Sequence, residues 1–315
     1  MSRRRLAIVA AALGVGALLL LWGCRATGDE PGSLTARRFA WPPGLVRRYQ
    51  LVADGRAVTP SPADDSQLRG EAHTEATLEL RGYGERDGRV VVGLRLSALG
   101  PVRMTLLGGA AAQDRAALEA ALVGPEAFLS FLPTGDLAEV AFAADTNNVF
   151  KGLAELVAGE LQAPLRAEPS WTLLESTTRG KAQTRFTLSG DTLTKVRERY
   201  ATLVGFGRGG APVTVEGQTT ITLSAQAHPL RVTSHERLRA GPVAESVQDL
   251  SLVFLGEGAF DGQWPAVALV PAPLDEAPAP LDAREQVMAQ RIAGLTEAEL
   301  FEGLESYGAC LLYTS

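Results

Sequence analysis

The sequence predicts a mainly β protein that also contains helix: a strongly curved antiparallel β-sheet or barrel encloses one helix, and the start of an α-helical array follows it. Three observations lead to this fold class. About ten segments alternate apolar and polar residues and are joined by short polar connections, as in β-sandwiches and barrels. One central segment has the three- and four-residue apolar spacing of an amphipathic helix. Helical signals return only near the C-terminal end, after a Pro-rich stretch.

The strands of the first half are predicted from alternation and from turn residues. Strand-like sequence begins at Phe39, and the Pro-, Ser- and Asp-rich stretch 59–66 is predicted to be a loop. The segments 84–88 and 133–136 have the composition of hairpin turns. The predicted elements are, in chain order, an apolar strand at 46–52, a hairpin of 76–80 with 90–96, a strand at 102–107, a helix at 113–122 and a hairpin of 128–132 with 137–142.

The central helix, predicted over 147–162, is the strongest single element of the pattern. Asp145 or Thr146 is expected to cap its start, and the Ala-Pro pair at 163–164 ends it. An amphipathic helix among strands must bury its apolar face, so this face is predicted to fill the curved sheet, with contact to lipid as the alternative. The predicted core face consists of Val149, Phe150, Leu153, Leu156, Val157 and Leu161.

The second half repeats the strand pattern and then changes character. Strands are predicted at 171–178, 181–188, 193–204, 213–225, 230–238 and 247–255, so that residues 38–260 make one β-rich domain around the helix. Prolines recur between 261 and 281, which predicts an extended linker. Capping-box spacings at Asp282 with Glu285 and at Thr296 with Glu299 then predict the start of a helical-repeat domain over 282–309.

The first residues have the organisation of a secretory signal. Arginines precede an apolar run that ends at Trp22, and the small residue Gly23 stands directly before Cys24. The run is shorter than the roughly 20 apolar residues that span a bilayer. This arrangement resembles the lipobox of bacterial lipoproteins, which implies a signal peptide at 1–23, acylation of Cys24 and a polar tether over 24–37. Plain secretion and an uncleaved anchor are the alternatives.

The lipobox resemblance also implies a location. Because Arg25 rather than Asp follows the cysteine, it implies an exported protein anchored at the outer membrane, or one free in the periplasm or medium. Acylation of Cys24 would leave Cys310 without a disulfide partner, so the fold is expected to depend on its hydrophobic core. Residues 310–315 resemble the translation of a sequencing-library adapter and are expected to be an artefact, with an ordinary short tail as the alternative.

Composition and motifs give no sign of a catalytic site, a cofactor or a metal. The formal charge of −6 disfavours nucleic acid as a partner. The three histidines, His73, His228 and His235, lack the spacing of metal ligands, and the chain contains no Gly-x-Ser-x-Gly motif. One predicted strand has a strip of basic residues that is interpreted either as a partner-binding surface or as an exposed strand face: Lys195, Arg197 and Arg199.

Four segments, in this order and spacing, resemble the vitellogenin N-terminal region of large lipid-transfer proteins: Trp41–Tyr49, Phe131–Leu161, Trp171–Thr184 and Lys195–Tyr200. They hold packing and turn residues, such as the Pro-Gly that precedes Tyr49, and none of them is a chemical motif. The resemblance implies a curved sheet around one helix, followed by a HEAT-like helical domain, and a role in lipid handling. The chain differs from the animal family because it cannot form the disulfides of that unit.

The expected function is therefore that of a non-catalytic envelope lipoprotein without a cofactor. Its β-domain is expected to bind or transport lipid, or to dock onto an envelope protein, while the acyl anchor at Cys24 holds it to a membrane. Apolar walls would bury acyl chains at about 0.8 kcal/mol per methylene. The alternative is an interaction scaffold with helical repeats, which needs no lipid. A hydrolase whose catalytic residues lie elsewhere in a longer protein is the third possibility.

Overall fold

The computed structural model describes residues 39, 41–60, 67–105, 115–203, 212–241 and 244–272, which form twelve strands and two short helices. Their bounds, in chain order, are β1 Leu45–Pro60, β2 Gln67–Arg86, β3 Arg89–Thr105, α1 Arg115–Leu122, β4 Glu126–Phe131, β5 Leu137–Ala143, α2 Asn148–Leu161, β6 Ser170–Thr177, β7 Gly180–Ser189, β8 Thr192–Leu203, β9 Val213–Leu223, β10 Pro229–Ala240, β11 Ala244–Ala259 and β12 Leu269–Ala272.

All twelve strands belong to one sheet, and every neighbouring pair of strands is antiparallel. Antiparallel neighbours can be joined by short turns, which agrees with the turn-rich connections of the sequence. In the middle of the sheet β1 pairs with β11, and this pairing joins the N-terminal strands to the C-terminal ones. The order across the sheet is β12-β5-β4-β3-β2-β1-β11-β10-β9-β8-β7-β6.

The predicted fold class is wrong in two respects. The sheet is open, because its outermost strands, β6 and β12, do not pair with each other, so it is not a barrel. The described residues contain two short helices and no helical array, and the array predicted for 282–309 lies outside them. Alternation of apolar and polar residues identifies strands that have one buried face, but it does not specify whether the first and last strands of a sheet meet.

Two strand predictions also need correction. The segment 102–107 was predicted as a separate strand, yet its described part continues β3, which pairs with β2 as far as Thr105. Pro101 is tolerated there because β4 pairs only with 90–95 of β3 and Leu96 makes an isolated bridge to Val123, so that beyond Leu96 the described part of β3 has one neighbour. Within the predicted linker 261–281, residues 269–272 form β12 at the edge of β5.

The central helix α2 occupies the apolar side of the sheet and contacts strands from both halves: β4, β5, β6 and β10. The helix begins one residue after Asn147, whose side chain accepts a hydrogen bond of 2.9 Å from the backbone N–H of Phe150. The predicted caps, Asp145 and Thr146, are therefore wrong by one or two residues. The amide of Asn147 also donates to the carbonyl of Ala121 at 2.7 Å and so ties α2 to α1.

Several predicted segments cannot be compared with the structure. The signal peptide 1–23, Cys24, the tether 24–37 and the C-terminal residues 310–315 all lie outside the described residues. Within the described ranges, neither helix has the length and the hydropathy needed to cross a membrane.

Candidate functional site

The structure places the six predicted core residues of α2 at three levels of burial. Phe150, Val157 and Leu161 are buried in the main hydrophobic core, and the Phe150 ring packs edge-on against Phe142 at a centroid distance of 6.5 Å. Leu153 and Leu156 are partly buried against the same core. Val149 is 36% exposed. The helix thus fills the apolar side of the sheet along most of its length, but not at its first turn.

Two cavities are found between α2 and the sheet, and both are very small. One cavity of about 10 Å³ lies beside Leu161, between Trp41, Phe131 and Pro229. A second cavity of about 10 Å³ lies beside Glu155 and Gly159 on the other side of the helix. Each has about the volume that a single water molecule needs. An acyl chain therefore has no room at these two positions unless the helix moves.

Charged side chains, in addition to apolar ones, join the C-terminal end of α2 to the sheet. Two cations of β8, Lys195 and Arg197, meet three carboxylates: Glu160 of α2, Glu175 of β6 and Glu236 of β10. We call these five residues the ion cluster. The Lys195 Nζ lies 2.6 Å from Glu175, and the Arg197 guanidinium lies 2.6 Å from Glu160 and 3.4 Å from Glu236. Every one of these side chains is at most 6% exposed.

Hydroxyl groups complete the ion cluster. Thr184 donates to Glu175 at 2.9 Å, Thr219 donates to Glu160 at 2.6 Å, and Tyr200 donates to Glu236 at 2.7 Å. Buried charges are tolerated only when they are paired and hydrogen-bonded in this way. Burial alone would raise the pKa of Glu160, but the positive charges of Arg197 and Lys195 outweigh burial and lower this pKa to about 2. Glu160 is therefore ionised at neutral pH.

The ion cluster overturns the interpretation of the basic strip. Only Arg199 is exposed, whereas Lys195 and Arg197 point into the protein. Lys195 also donates to the backbone carbonyl of Gly159 at 2.9 Å, in the last turn of α2, where a cation is favoured by the helix dipole. The sequence holds a signal for this arrangement, since Leu193, Lys195 and Arg197 alternate along β8 and must share one face.

A further carboxylate of α2, Glu155, is 4% exposed and faces the second small cavity. Burial raises its pKa from 4.5 to about 7, and the charge of Lys151, one turn earlier, offsets only part of that rise. The sequence pattern did not indicate this residue, because a Glu four positions after a Lys is typical of an exposed helix face.

Glu155→Gln is expected to stabilise the protein at neutral and alkaline pH. The folded state binds a proton at Glu155 up to a pH of about 7, whereas the unfolded chain releases it near 4.5. The wild type therefore loses stability as the pH rises from 4.5 to 7, and the glutamine variant lacks this loss. Urea unfolding at pH 8 should show a gain of about 3 kcal/mol that disappears at pH 4. An equal gain at both pH values would contradict the buried-carboxylate explanation.

The histidines make local contacts on the sheet and in one turn. His73 lies 2.7 Å from Asp54, and His235 lies 2.7 Å from Asp249; the hydrogen bond with Asp54 raises the pKa of His73. His228 is hydrogen-bonded through Nδ1 to Ser224, and burial lowers its pKa to about 4. In the described part of the chain, no group of three or more His, Cys, Asp or Glu side chains is arranged to hold a metal ion.

Comparison with known proteins identifies the architecture. No protein-family model matches the chain, and no curated protein matches its sequence. Among solved structures, one of lipovitellin, from work on the lipid–protein interactions of that protein, superimposes with a TM-score of 0.56 over 76% of this chain. The fold is lipovitellin-like. The chain covers 28% of the lipovitellin chain and is 11% identical to it, so the likeness to lipovitellin concerns the fold.

The lipovitellin-like fold agrees with the resemblance to the vitellogenin N-terminal region that the sequence suggested. The lipobox and the HEAT-like domain belong to residues outside the described ranges, and neither is confirmed.

Proposed function

We propose that this protein is a non-catalytic, exported envelope lipoprotein whose β-domain takes part in lipid binding and transport. The lipovitellin-like fold supports the proposal most directly, because lipovitellin is a protein whose interactions with lipid have been studied in its structure. The contacts of Glu160 support the non-catalytic part. This carboxylate is paired with Arg197 in the ion cluster, beside a cavity of about 10 Å³ that admits no substrate.

Lipid would bind outside the interface between α2 and the sheet. The two cavities at this interface are about the size of one water molecule each. Opening the interface would expose the buried Phe150 and separate Glu160 from Arg197. The proposal therefore gives α2 a structural role and assigns lipid contact to outer surfaces of the domain or to residues outside the described ranges.

Lipid binding can be tested on the full chain. The purified protein is incubated with vesicles of deuterated phospholipids, separated from them and analysed by native mass spectrometry. We expect a protein species whose mass is increased by one or more intact deuterated lipids. If no lipid is taken up from the vesicles and none is released by organic extraction of the freshly purified protein, the lipid function is wrong.

The acyl anchor has its own test in a bacterial host that processes lipoproteins. With a radiolabelled fatty acid in the medium, the wild type should incorporate label, and Cys24→Ser should abolish incorporation. Cys310→Ser is the matched control, because it removes the other thiol of the chain and should leave labelling intact. Label that persists in Cys24→Ser would refute the anchor.

The second candidate function, a docking scaffold for an envelope protein, is favoured by one observation. Leu174 on the outermost strand β6 is 59% exposed, and an edge strand offers unpaired backbone groups to a partner. Under this alternative the protein would carry no lipid and would form a stable complex through β6. Leu174→Lys would then weaken the complex without affecting the lipid assay. The third candidate, a hydrolase, has no observation in its favour.

A further inference from the structure

The chain does not leave the sheet after β11. Phe260 and Trp264 fold back against Tyr83 of β2, and both rings pack edge-on against it at centroid distances of 5.2 and 5.4 Å. Trp264 also contacts Phe128 of β4 at 5.2 Å. The chain then pairs with β5 as β12. These aromatic residues form a second apolar cluster, separate from the main core around α2.

The second cluster lies on the opposite face of the sheet from α2. On β3, Val90 and Val92 belong to the main core, whereas Val91 between them belongs to the second cluster. Successive residues of a strand point to opposite faces, so Val91 defines an outer face here. The segment from Phe260 to β12 covers part of this outer face and leaves a gap beside it.

This gap is a cleft of about 460 Å³. Val91, Phe128 and Ala141 form its floor, while Trp264 and Leu269 line it from the returning segment. Ligand pockets of proteins usually measure about 300–1,000 Å³, so the cleft is large enough for a ligand with one hydrocarbon chain. Its volume is far above the 10 Å³ of either cavity beside α2.

The rim of the cleft carries both signs of charge. Arg89 and Glu139 neutralise each other through a salt bridge of 3.1 Å. Arg86 stacks on the Trp264 ring, with its guanidinium carbon 4.1 Å from the ring centroid. Neither Arg86 nor the neighbouring Asp87 forms an ion pair with any residue that the structure describes, and both are exposed. The rim thus offers one cation and one anion side by side.

We propose that this cleft binds one molecule of a single-chain zwitterionic phospholipid. The guanidinium of Arg86 donates to the phosphate, and Asp87 attracts the cationic end of the headgroup. The acyl chain lies along Trp264 and the apolar floor, because the cleft is too small for two chains. The inference rests on the proposed lipid function and names both the lipid class and its place.

Quenching of tryptophan fluorescence tests the site on the full chain. The probe is lysophosphatidylcholine with a brominated acyl chain, used below its critical micelle concentration, and bound lipid is measured in parallel by native mass spectrometry. We expect saturable quenching in the wild type and loss of most of it in Trp264→Phe. Trp171→Phe is the matched control and should retain the quenching, because Trp171 stacks on Phe186, which belongs to the main core.

The headgroup contacts are tested with exposed residues whose replacement leaves the core untouched. Arg86→Gln should weaken the affinity at least fivefold, whereas Arg231→Gln, an exposed arginine of β10, should leave it unchanged. Asp87→Asn should lower the affinity for lysophosphatidylcholine at least threefold. The same variant should leave the affinity for a brominated fatty acid unchanged, because a fatty acid has no cationic group. Asn suits this turn because Asp87 has a φ of 49°, a conformation that Asn adopts readily.

The outcomes separate the site from the broader function. One outcome is that lipid binding is detected by mass spectrometry while the brominated lipid quenches the fluorescence of Trp264→Phe as strongly as that of the wild type. This result would show that the cleft is not the binding site, and the lipid function would still stand. The same conclusion follows if Arg86→Gln and Asp87→Asn, both folded by circular dichroism, bind with wild-type affinity. The absence of bound lipid by both methods overturns the lipid function, and the proposed site with it.

Discussion

Arg197→Met is expected to lower the free energy of unfolding by about 3–5 kcal/mol, the usual cost when one partner is removed from a buried charge network. Methionine keeps much of the length of the side chain but removes the positive charge that faces Glu160, Glu175 and Glu236. Lys195 remains 2.6 Å from Glu175, and Arg179 remains 3.0 Å from Glu236, so the excess negative charge falls mainly on Glu160. The loss therefore arises mainly from one unpaired buried carboxylate.

Urea unfolding at pH 7 measures this effect, and Arg199→Met is the matched control. Arg199 lies two residues further along β8 but is exposed, with a hydrogen bond of 2.8 Å to Gln183, so its replacement should cost less than about 0.5 kcal/mol. Adding Glu160→Gln to Arg197→Met should recover part of the loss, because it removes the unpaired charge of Glu160. Equal losses for Arg197→Met and Arg199→Met would show that the ion cluster contributes nothing specific.

Low pH should also weaken the ion cluster, because acid protonates Glu160, whereas Arg197→Met removes the cation that faces it. The pKa of Glu160 is about 2 in the folded protein and 4.5 in the unfolded chain, so the unfolded chain binds a proton first as the pH falls. The stabilisation from Glu160 is therefore complete above 4.5 and is lost progressively towards 2. In Arg197→Met this loss should be smaller, since the charge that lowers the pKa is absent.

Most of the strands could be predicted from the sequence, because each of them has a local pattern of apolar residues at a spacing of two. In β2, Leu78 and Leu80 alternate with polar residues; in β3, Val92 and Leu94 keep the spacing of two, and all four residues lie in the core. Whether the sheet closes into a barrel has no such local pattern, because closure depends on two edge strands that are far apart in the chain. β12 was missed for a related reason: with four residues and Pro271 among them, it has too little alternation to distinguish it from a linker.

The ion cluster was missed for a different reason. Period-two alternation of apolar residues predicts the strands, but by itself it places charged residues at the surface. Lys195 and Arg197 share a face with the buried Leu193, just as Glu175 shares a face with Trp171 and Leu173. Two charged residues of opposite sign, in different strands and each in register with apolar neighbours, indicate a buried pair. Only the tertiary fold shows that Glu160 of α2 completes it.

Phe150→Ala is expected to lower the free energy of unfolding by about 3–5 kcal/mol, which is the typical cost of removing a large aromatic side chain from a core. Phe150 is fully buried, whereas Val149, one residue earlier in α2, is 36% exposed. Val149→Ala is therefore the matched control and should change stability by less than about 0.5 kcal/mol. The contrast between neighbouring residues tests which side of the helix faces the sheet.

The same pair of variants bears on where lipid binds. If lipid contact required α2 to move away from the sheet, weakening its packing by Phe150→Ala would favour that movement and increase lipid uptake from vesicles. If lipid binds on the outer face, uptake by the folded fraction of Phe150→Ala should equal that of the wild type while the midpoint of urea unfolding falls. We expect the second result, because α2 is held at its C-terminal end by the salt bridge between Glu160 and Arg197, which Phe150→Ala leaves intact.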